Sequence, residues 1–507
     1  MDELMELAEK EISATPLTAA TLDKLPAGMA RPLYDRQMLS PGIVHIGVGN
    51  FHRAHLAWYV HRLMQQGGAT DWAIIGAGVR ENDRIMREKL LDQDCLTTLI
   101  ELDPDGRQAT EIIGSMIDYL PVEDDNQSLI TAMADPRIRI VSLTITEGGY
   151  FLDPETGGLD VAHPDIRHDA ENLDRPRTAF GAMVAALRIR HANGIAPFSG
   201  LCCDNLLGNG EILRQSVVGL ARLVDPELAS WIDKDGAFPN SMVDCIVPAT
   251  GSHERELARR IGVDDTVPVT HENFRQWVVE DNFCAGRPDW EQAGAEFSDR
   301  VHEYEAQKIR MLNGGHQLLA NVGEVMGINT ISGAMANPLI HAFFRKVQTE
   351  EITPHVPHLP AMSVTSYLDM IARRFANPAI VDTTRRVAFD GSARHVVFIL
   401  PSIRDGLEAG MDVTGLALVE AIWARMCAGT REDGSHIEPN DPMWDMLKDT
   451  AMNARNTPLC WLQMTPIYGD LAANKRFADA FAAWLASLYR NGVEATIRHY
   501  VDQTTPA

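Results

Sequence analysis

The sequence lacks the features that mark metal-binding, secreted and nucleic-acid-binding proteins. Its seven cysteines are an odd number with no paired CxxC spacing, so we expect reduced thiols in a cytoplasmic protein. Histidine, cysteine and acidic residues show no zinc-site spacing, and we therefore expect a mechanism that needs no metal. Lysine and arginine number 45 against 70 acidic residues, and the net charge of −25 disfavours nucleic acid as a partner.

Long apolar runs are also missing, and no stretch is long enough to cross a bilayer. The acidic start Met1-Asp2-Glu3-Leu4 differs from a signal peptide. We therefore expect a protein with neither a membrane partner nor a secretory route. The sequence leaves the oligomeric state open.

The sequence does contain enough residues for two domains, since 507 residues exceed what one compact core holds. Over 1–298, short β-branched runs alternate with helical patterns, which predicts a Rossmann-like, mostly parallel sheet domain. Over 299–507, helical periodicity dominates and predicts a mainly α-helical domain. The predicted fold class is therefore α/β.

Apolar periodicity places the predicted elements along the chain. After a first strand that starts at Ile43, the predicted strands cover 72–78, 96–102, 111–117, 139–146, 198–203 and 242–247. The predicted helices of the first domain cover 56–66, 126–133, 178–192 and 210–224, and 152–177 is predicted to be a loop or an excursion of the chain. The predicted helices of the second domain cover 306–326, 338–349, 364–375, 413–426, 441–454, 477–488 and 493–500.

A glycine turn joins the first predicted strand to the first predicted helix, which is the context of a dinucleotide-binding fingerprint. Gly47 and Gly49 match the first two glycines of G-x-G-x-x-G, whereas His52 stands at the third. The turn therefore lies between a predicted strand and a predicted helix, as the fingerprint requires, but it contains only two of the three glycines.

The acidic residue that binds the adenosine ribose should follow the second strand of such a domain. Asp83 is the best candidate, with Glu81 behind it, although the interval from Gly47 exceeds the usual spacing of about twenty residues. Asp83 also suits the start of a helix, and Arg80 and Arg84 suit a 2′-phosphate. We expect NAD rather than NADP.

Polar residues lie at three predicted strands where parallel sheets bind ligands. Glu147 follows the run 139–146 and is either a proton-relay group or a helix cap. Asn205 follows the run 198–203. Asp244 lies inside an apolar run, where an unpaired charge is costly, so it is either functional or tied to a buried cation. We expect a functional role, because Asp244 should lie near the same sheet edge as Asn205.

Lys308, Asn313 and His316 place an amine, an amide and an imidazole within about two and a half helical turns. In an ideal α-helix, Asn313 and His316 lie about 140° and 80° around the axis from Lys308, so all three can face one cleft. A buried lysine can act as a base, and an amide can hold a developing alkoxide. The alternative is that these three polar residues lie on the solvent-exposed face of an ordinary amphipathic helix. Gly314 and Gly315, which cost roughly 1 kcal/mol each inside a helix, indicate close backbone approach.

Five segments together resemble the polyol-specific long-chain dehydrogenases/reductases, over about residues 43–500. They are Gly47-Val48-Gly49-Asn50-Phe51-His52-Arg53-Ala54-His55, Thr146-Glu147-Gly148-Gly149-Tyr150, Cys203-Asp204-Asn205 with Asn209-Gly210, Phe238-Pro239-Asn240-Ser241-Met242-Val243-Asp244, and the pattern of Lys308, Asn313 and His316. The resemblance implies a metal-independent, NAD-linked interconversion of a secondary alcohol and a ketose. D-Mannitol and D-fructose are the leading pair.

The resemblance also implies a role for each site residue. Lys308 is the general acid/base, Asn205 and Asn313 hold the substrate oxygen, and Glu147 helps pass the proton to solvent. The residues implied to hold the remaining substrate hydroxyls are His316, Asp244 and Arg386. The residues assigned to NAD are Gly47, Val48, Gly49, Asn50, Phe51, Arg53 and Asp83.

Two departures from the family pattern concern the second domain and a loop. The family usually has a lysine after Asp-Gly-Ser, where this chain has Ser392-Ala393-Arg394 followed by His395. A planar guanidinium differs from an ammonium point charge, so Arg394 is expected to grip the far end of the substrate differently. Glu272-Asn273-Phe274 replaces the family's Glu-Pro-Phe and is interpreted as a local loop change.

Three alternative functions fit the same sequence. A sugar-acid reductase acting on fructuronate or tagaturonate needs a cation for the carboxylate, which Arg394 supplies. A dehydrogenase of another polyol, such as arabinitol or sorbitol, needs the same catalytic set. An NAD-binding sensor without catalysis is disfavoured by the intact lysine, asparagine and histidine.

Overall fold

The computed structural model describes residues 14–153, 156–359 and 362–503, with the side chain of Glu147 outside this description. The chain divides into two compact units. The first unit comprises the described residues up to Asp103 together with Arg107–His302, and the second comprises Pro104–Gly106 together with the described residues from Glu303 onwards.

Within the described ranges, all strands belong to the first unit. They are β1 (Thr15–Pro16), β2 (Pro41–Ile46), β3 (Ala73–Ala77), β4 (Thr97–Leu102), β5 (Gln108–Ile113), β6 (Met116–Tyr119), β7 (Ile140–Leu143), β8 (Ser199–Cys202), β9 (Ser241–Asp244), β10 (Val263–Asp264), β11 (Val269–Glu272), β12 (Gln276–Val279) and β13 (Glu296–Phe297).

Five parallel strands form the main sheet in the order β6-β3-β2-β7-β8. This is the strand order of a dinucleotide-binding sheet, with a topological switch point between β2 and β7. Ile43 and Val44 of the central strand are both fully buried, because they point to cores on opposite faces of the sheet. Burial on both faces explains why this strand is a continuous apolar run in the sequence.

Helices cover both faces of the main sheet. The helices of this unit are α1 (Asn50–Ala54), α2 (Leu56–Gln65), α3 (Asp83–Leu91), α4 (Gln127–Ala134), α5 (Pro164–Glu171), α6 (Ala179–Ala192), α7 (Asn209–Val224), α8 (Pro226–Asp235) and α9 (Ser252–Arg260). Helices α4, α6 and α7 contribute to one core, and α2 contributes to the other.

Two of the predicted elements of this unit differ from the structure. The run 111–117 is not one strand, because β5 pairs antiparallel with β4 whereas β6 pairs parallel with β3 in the main sheet. The chain changes sheets at Ser115, whose hydroxyl donates to the Ala57 carbonyl at 2.6 Å. The predicted loop 152–177 contains α5, which begins with Pro164 and is capped by the His163 side chain.

The second unit is built from helices. Its helices, the first of which begins just before the unit boundary, are α10 (Val301–Gln307), α11 (Gly314–Met326), α12 (Ile331–Ala336), α13 (Pro338–Val347), α14 (Val364–Phe375), α15 (Thr384–Val387), α16 (Gly391–Phe398), α17 (Leu400–Glu408), α18 (Thr414–Cys427), α19 (Trp444–Ala454), α20 (Leu459–Leu462), α21 (Thr465–Tyr468), α22 (Lys475–Asn491) and α23 (Val493–Asp502). The predicted fold class, a Rossmann-like sheet domain followed by a mainly helical domain, is confirmed.

The predicted helix 306–326 is interrupted. Lys308–Asn313 forms a π-helical segment between α10 and α11, and a second π-helical segment, Gln348–Ile352, follows α13. A residue of a π-helix bonds five positions along the chain instead of four, so the angles calculated for an ideal α-helix do not hold here. None of the helices in the described ranges combines the length and apolar character that a membrane crossing needs.

Candidate active site

The glycine turn after β2 is held by the neighbouring strand. Gly47 has φ +93°, and a Cβ there would lie 2.1 Å from the Thr144 carbonyl oxygen, so only glycine fits. The Thr144 hydroxyl donates to the Gly47 carbonyl at 2.6 Å, which fixes the turn. Gly49 differs, because no described atom lies within 4 Å of where its Cβ would be. The turn is therefore tight at Gly47 and open at Gly49.

His52 explains the missing third glycine of the fingerprint. Its ring stacks on the ring of His45 in β2, with centroids 3.5 Å apart and planes 16° apart. A third glycine normally allows helix and strand to pack closely, and here two stacked rings fill that space. Burial lowers the pKa of His45 to about 3 and that of His52 well below its ordinary value, so both rings are neutral. Sequence reasoning did not find this pair.

Arg53 and Asn50 anchor the turn from the interior. The Asn50 amide donates to the Pro248 carbonyl at 2.8 Å and to the Thr250 hydroxyl at 2.9 Å. Arg53 is fully buried and donates to the Gly49 carbonyl at 3.3 Å, to Asn50 Oδ1 at 2.7 Å and to the Val267 carbonyl. Burial lowers the pKa of Arg53 to about 10. Arg53 was predicted to bind the cofactor, and the structure shows its guanidinium bonded to the turn itself.

Two further residues of the turn were assigned to the cofactor. Val48 is buried in the core beside the main sheet. Phe51 is partly buried and stacks on the His55 ring with centroids 4.8 Å apart. Both side chains therefore pack against neighbouring residues of the first unit.

Asp83 begins α3, and its carboxylate accepts a hydrogen bond from the Arg80 backbone N–H at 2.9 Å. Its side chain also occupies the space above Gly78, where a Cβ would lie 2.3 Å from the Asp83 Cβ. Asp83 therefore lies at the start of α3, as one of the two interpretations expected, and its carboxylate binds the loop that precedes the helix. Glu81 and Arg84, which pair at 3.0 Å, instead line an adjacent cavity.

That cavity lies beyond the carboxyl ends of β3 and β6 and has a volume of about 520 Å³. Its lining includes Val79, Val122, Asn126, His168 and Arg177. The last two come from the segment 152–177, which the sequence had predicted to be a loop or an excursion of the chain. The adenosine half of a dinucleotide binds beside the corresponding strands in doubly wound sheets, so the cavity suits that half.

Asp204 ties the end of β7 to the end of β8. Its carboxylate accepts from the Ile145 N–H at 2.9 Å, the Thr146 N–H at 3.1 Å and the Tyr150 hydroxyl at 2.8 Å. Thr146 has φ +65° and ψ 161°, which is a strained conformation for a β-branched residue. These hydrogen bonds hold the strained turn in place.

The predicted site residues Glu147 and Asn205 flank this Asp204 contact. Glu147 follows Thr146 and begins a short 3₁₀ helix, but its side chain lies outside the described part of the structure. Asn205 follows Asp204 and is exposed. Because β2, β7 and β8 are neighbours, the glycine turn, Thr146 and Asn205 lie at one edge of the main sheet.

We expect Asp204→Asn to lower kcat about tenfold, because the new amide NH₂ cannot accept from both backbone N–H groups and the Thr146 turn loses its support. Steady-state kinetics and thermal melting measure the effect. The matched control is Asp225→Asn, which changes a carboxylate that accepts from two backbone N–H groups at the start of α8. Asp225→Asn should keep the activity of the parent protein. If Asp204→Asn were as active as Asp225→Asn, the role proposed for Asp204 would be contradicted.

Asp244 does not lie in the main sheet, so the predicted common edge with Asn205 is wrong. It ends β9, which belongs to a separate sheet with β12 and β13. The two sheets meet at the other end of β9, where the Ser241 hydroxyl donates to the Cys202 carbonyl at 2.6 Å. Asp244 is buried, and it interacts with residues around it.

The catalytic candidates of the second unit lie along one continuous helical stretch. Lys308 and Asn313 begin and end the π-helical segment, and His316 lies in the first turn of α11. Lys308 is 6% exposed, whereas Asn313 and His316 are partly exposed. The His316 ring stacks on Phe375 with centroids 4.0 Å apart. This helical stretch therefore holds a buried amine next to two partly exposed polar groups.

Arg386 and Arg394 surround a buried carboxylate. Arg386 donates to both oxygens of Asp382, at 2.8 and 2.7 Å, and its side chain is 57% exposed. Arg394 donates to the Val387 carbonyl at 2.7 Å. Burial raises the pKa of Asp382, and the charges of Arg386 and Arg394 oppose this rise. Part of the positive charge of both arginines is therefore compensated within the unit.

His395, which follows Arg394 in the sequence, points into the core. Its Nδ1 and Glu420 Oε1 share a hydrogen bond of 2.6 Å, and its Nε2 lies 2.9 Å from the Asn321 amide. His395 and Glu420 are both fully buried. Gln317 of α11 donates to the same Val387 carbonyl that accepts from Arg394, which connects the two segments.

In the described ranges, no three histidine, cysteine or acidic side chains lie close enough together to hold a metal ion. The expectation of a metal-independent mechanism stays a prediction.

Two family models match the chain in the order of its units. The model of the mannitol dehydrogenase Rossmann domain matches residues 41–292, and the model of the mannitol dehydrogenase C-terminal domain matches residues 300–489. The chain belongs to the mannitol dehydrogenase family. The family resemblance predicted from the sequence motifs is thereby confirmed.

Individual members of the mannitol dehydrogenase family cover nearly the whole chain. The mannitol 2-dehydrogenase of Cereibacter sphaeroides is 56% identical over 93% of this chain and 99% of its own length. The structure of Pseudomonas fluorescens mannitol 2-dehydrogenase in ternary complex with NAD and D-mannitol is 38% identical and matches with a TM-score of 0.90 over 97% of this chain and 100% of that one. A D-sorbitol dehydrogenase in substrate-free form is 34% identical, with a TM-score of 0.85 over 95% of this chain and 100% of that one.

Proposed function

We propose that this chain interconverts D-mannitol and D-fructose by hydride transfer with NAD, using Lys308 as the general acid/base. The observation that carries the proposal is the full-length likeness to the Pseudomonas fluorescens enzyme, whose structure contains NAD and D-mannitol. At the level of enzyme class and cofactor, the predicted NAD-dependent polyol dehydrogenase is confirmed by the same relatives.

The first unit fits a dinucleotide. The space beside Gly49 is open, and the cavity of about 520 Å³ beyond β3 and β6 suits the adenosine half. The turn at Gly47 is fixed by Thr144, so its backbone is preorganised. Bound NAD supplies the nicotinamide ring that accepts the hydride during alcohol oxidation.

Lys308 takes the hydroxyl proton during oxidation and returns it during ketone reduction. Its burial supports this role, because a buried amine is shielded from bulk water and its proton exchange is directed to the substrate. Asn313 follows in the same π-helical segment, and its amide NH₂ suits an oxygen that gains negative charge. We assign the same function to Asn205. We assign Glu147 to passing the proton onward to solvent.

The remaining polar residues hold the sugar hydroxyls in this proposal. His316 is supported by its stacking on Phe375, which fixes the orientation of the imidazole. Arg386 and Arg394 offer N–H donors beside Asp382, and Asp244 offers a buried carboxylate. A polyol chain with several hydroxyls suits such a mixed set of donors and acceptors better than an anionic group does.

The sugar-acid alternative depends on the charge around Asp382, and the comparison of D-fructose with D-fructuronate separates it from the proposed function. A carboxylate substrate needs an available cation, and Asp382 offsets only part of the positive charge of Arg386 and Arg394. Another polyol is the second candidate, because the D-sorbitol dehydrogenase matches over nearly the whole chain.

A substrate panel tests the proposal. The protein is assayed with NAD and with NADP against D-mannitol, D-sorbitol and D-arabinitol, and with NADH against D-fructose and D-fructuronate, by absorbance of the reduced nicotinamide. We expect kcat/KM for D-mannitol with NAD to exceed that for the other polyols by about tenfold or more, which corresponds to roughly 1.4 kcal/mol of transition-state binding. Faster turnover of D-sorbitol or D-fructuronate would replace the proposed substrate, and no turnover with any compound would favour an NAD-binding sensor.

A further inference from the structure

We propose that Gln348 is a positioning residue that keeps Lys308–Asn313 in its π-helical form and thereby sets the spacing of the Lys308 amine and the Asn313 amide. The inference deepens the proposed function, since it rests on the catalytic role of Lys308. The contacts of Gln348 with the π-helical segment carry it.

The π-helical segment is unusual in itself. The Gly314 N–H reaches the Ile309 carbonyl, five residues back, and also the Met311 carbonyl. Such segments are rare, because the regular α-helical pattern is normally preferred. Where they do occur, they frequently lie at functional sites. A stable π-helical segment therefore needs contacts that the α-helical alternative would not satisfy.

Gln348 supplies such a contact. Its side chain is fully buried, and its Nε2 donates to the Met311 carbonyl at 2.8 Å. Gln348 also begins the second π-helical segment, in which the Thr353 N–H bonds back to the Gln348 carbonyl. The two π-helical segments contact each other. A carbonyl inside the catalytic segment thus has a donor from outside its own helix.

Gly315 makes room for this hydrogen bond. A Cβ at Gly315 would lie 2.8 Å from Gln348 Nε2 and 2.8 Å from a ring carbon of Phe344. Any larger residue would push the amide away from Met311. The close approach that the Gly-Gly pair indicated in the sequence is therefore the approach of the Gln348 amide.

The competing interpretation is an ordinary buried hydrogen bond that only stabilises the fold. The two interpretations differ in what a mutation changes. Loss of a merely structural bond lowers thermal stability and leaves the rate per folded molecule unchanged. Loss of a positioning bond also changes kcat and the pH dependence of kcat/KM, because the base and the amide move relative to each other.

The test is Gln348→Met, which keeps the length of the side chain and removes the donor. We expect kcat for mannitol oxidation to fall about 10- to 100-fold, as for a small misplacement of a reacting group, with the KM for NAD within about twofold of the parent. The pH profile of kcat/KM should shift as well. Kinetics are normalised to the folded fraction measured by circular dichroism.

The matched control is Thr496→Val, which removes a buried hydroxyl that donates to the Gly492 carbonyl at 2.7 Å in the same unit. This control should melt at a lower temperature but keep the parent kcat and pH profile. An unchanged kcat and pH profile in Gln348→Met would overturn the inference. An equal loss of activity in Thr496→Val would also overturn it, since stability alone would then explain the result.

Gly315→Ala provides a second route if Gln348→Met does not fold. We expect the same fall in kcat, because the new methyl group displaces the Gln348 amide. Parent-like kinetics in a folded Gly315→Ala protein would contradict the inference. Failure of the proposed function is distinguishable, since it appears as retained activity in Lys308→Ala whatever the Gln348 variants do.

Discussion

Replacing Lys308 with alanine should lower kcat for D-mannitol oxidation by about 10²- to 10⁴-fold, the usual contribution of a positioned general base. The physical reason is that the hydroxyl proton has no acceptor when the hydride leaves. NAD should bind as in the parent protein, because the glycine turn at Gly47 is held by Thr144 and Arg53 of the first unit. Steady-state kinetics and fluorescence titration with NADH measure the two effects.

Lys308→Arg is the matched control for charge. A guanidinium keeps the positive charge but does not give up its proton at accessible pH, so this variant should be as inactive as Lys308→Ala. Activity restored by arginine would mean that the position supplies only a positive charge. Near-parent activity in Lys308→Ala at neutral pH would show that the base lies elsewhere.

Replacing Gly47 with alanine should destabilise the protein by roughly 3 kcal/mol or more and abolish NAD binding. A Cβ at this position would lie 2.1 Å from the Thr144 carbonyl oxygen, which is backbone and cannot move aside cheaply. The φ of +93° adds strain for any residue with a side chain. Chemical denaturation and NADH titration measure both losses.

Gly49→Ala is the matched control for Gly47→Ala. Its Cβ would enter open space, and its φ of −90° is ordinary for alanine, so stability should be almost unchanged. NAD binding should still weaken about tenfold or more, because the methyl group occupies the space proposed for the cofactor. Unchanged NAD affinity in Gly49→Ala would contradict the assignment of this turn to the cofactor.

Sequence reasoning placed the main sheet well, because strands buried on both faces are continuous apolar runs. It missed β11, which contains Thr270, His271 and Glu272. These polar residues are buried, and Glu272 accepts from the Ile246 N–H at 2.6 Å. That compensation comes from a distant part of the chain, so no local pattern shows it.

The candidate site was predicted unevenly for the same reason. The Lys308, Asn313 and His316 pattern was visible, but its geometry was calculated for an α-helix. The π-helical form depends on Gln348, which is 37 residues from its hydrogen-bond partner Met311. Asn205 received a role only through family resemblance, because a single asparagine after a strand has no distinctive pattern.

The most direct test of the central claim is a single-turnover measurement of hydride transfer in Lys308→Ala at saturating NAD and D-mannitol, over a range of pH. Formation of NADH is followed by stopped-flow absorbance. We expect a slow phase with the rate increase toward alkaline pH largely lost, while the parent protein shows a fast phase that accelerates as pH rises. A fast, pH-dependent phase in Lys308→Ala equal to that of the parent would contradict the claim that this amine is the proton acceptor.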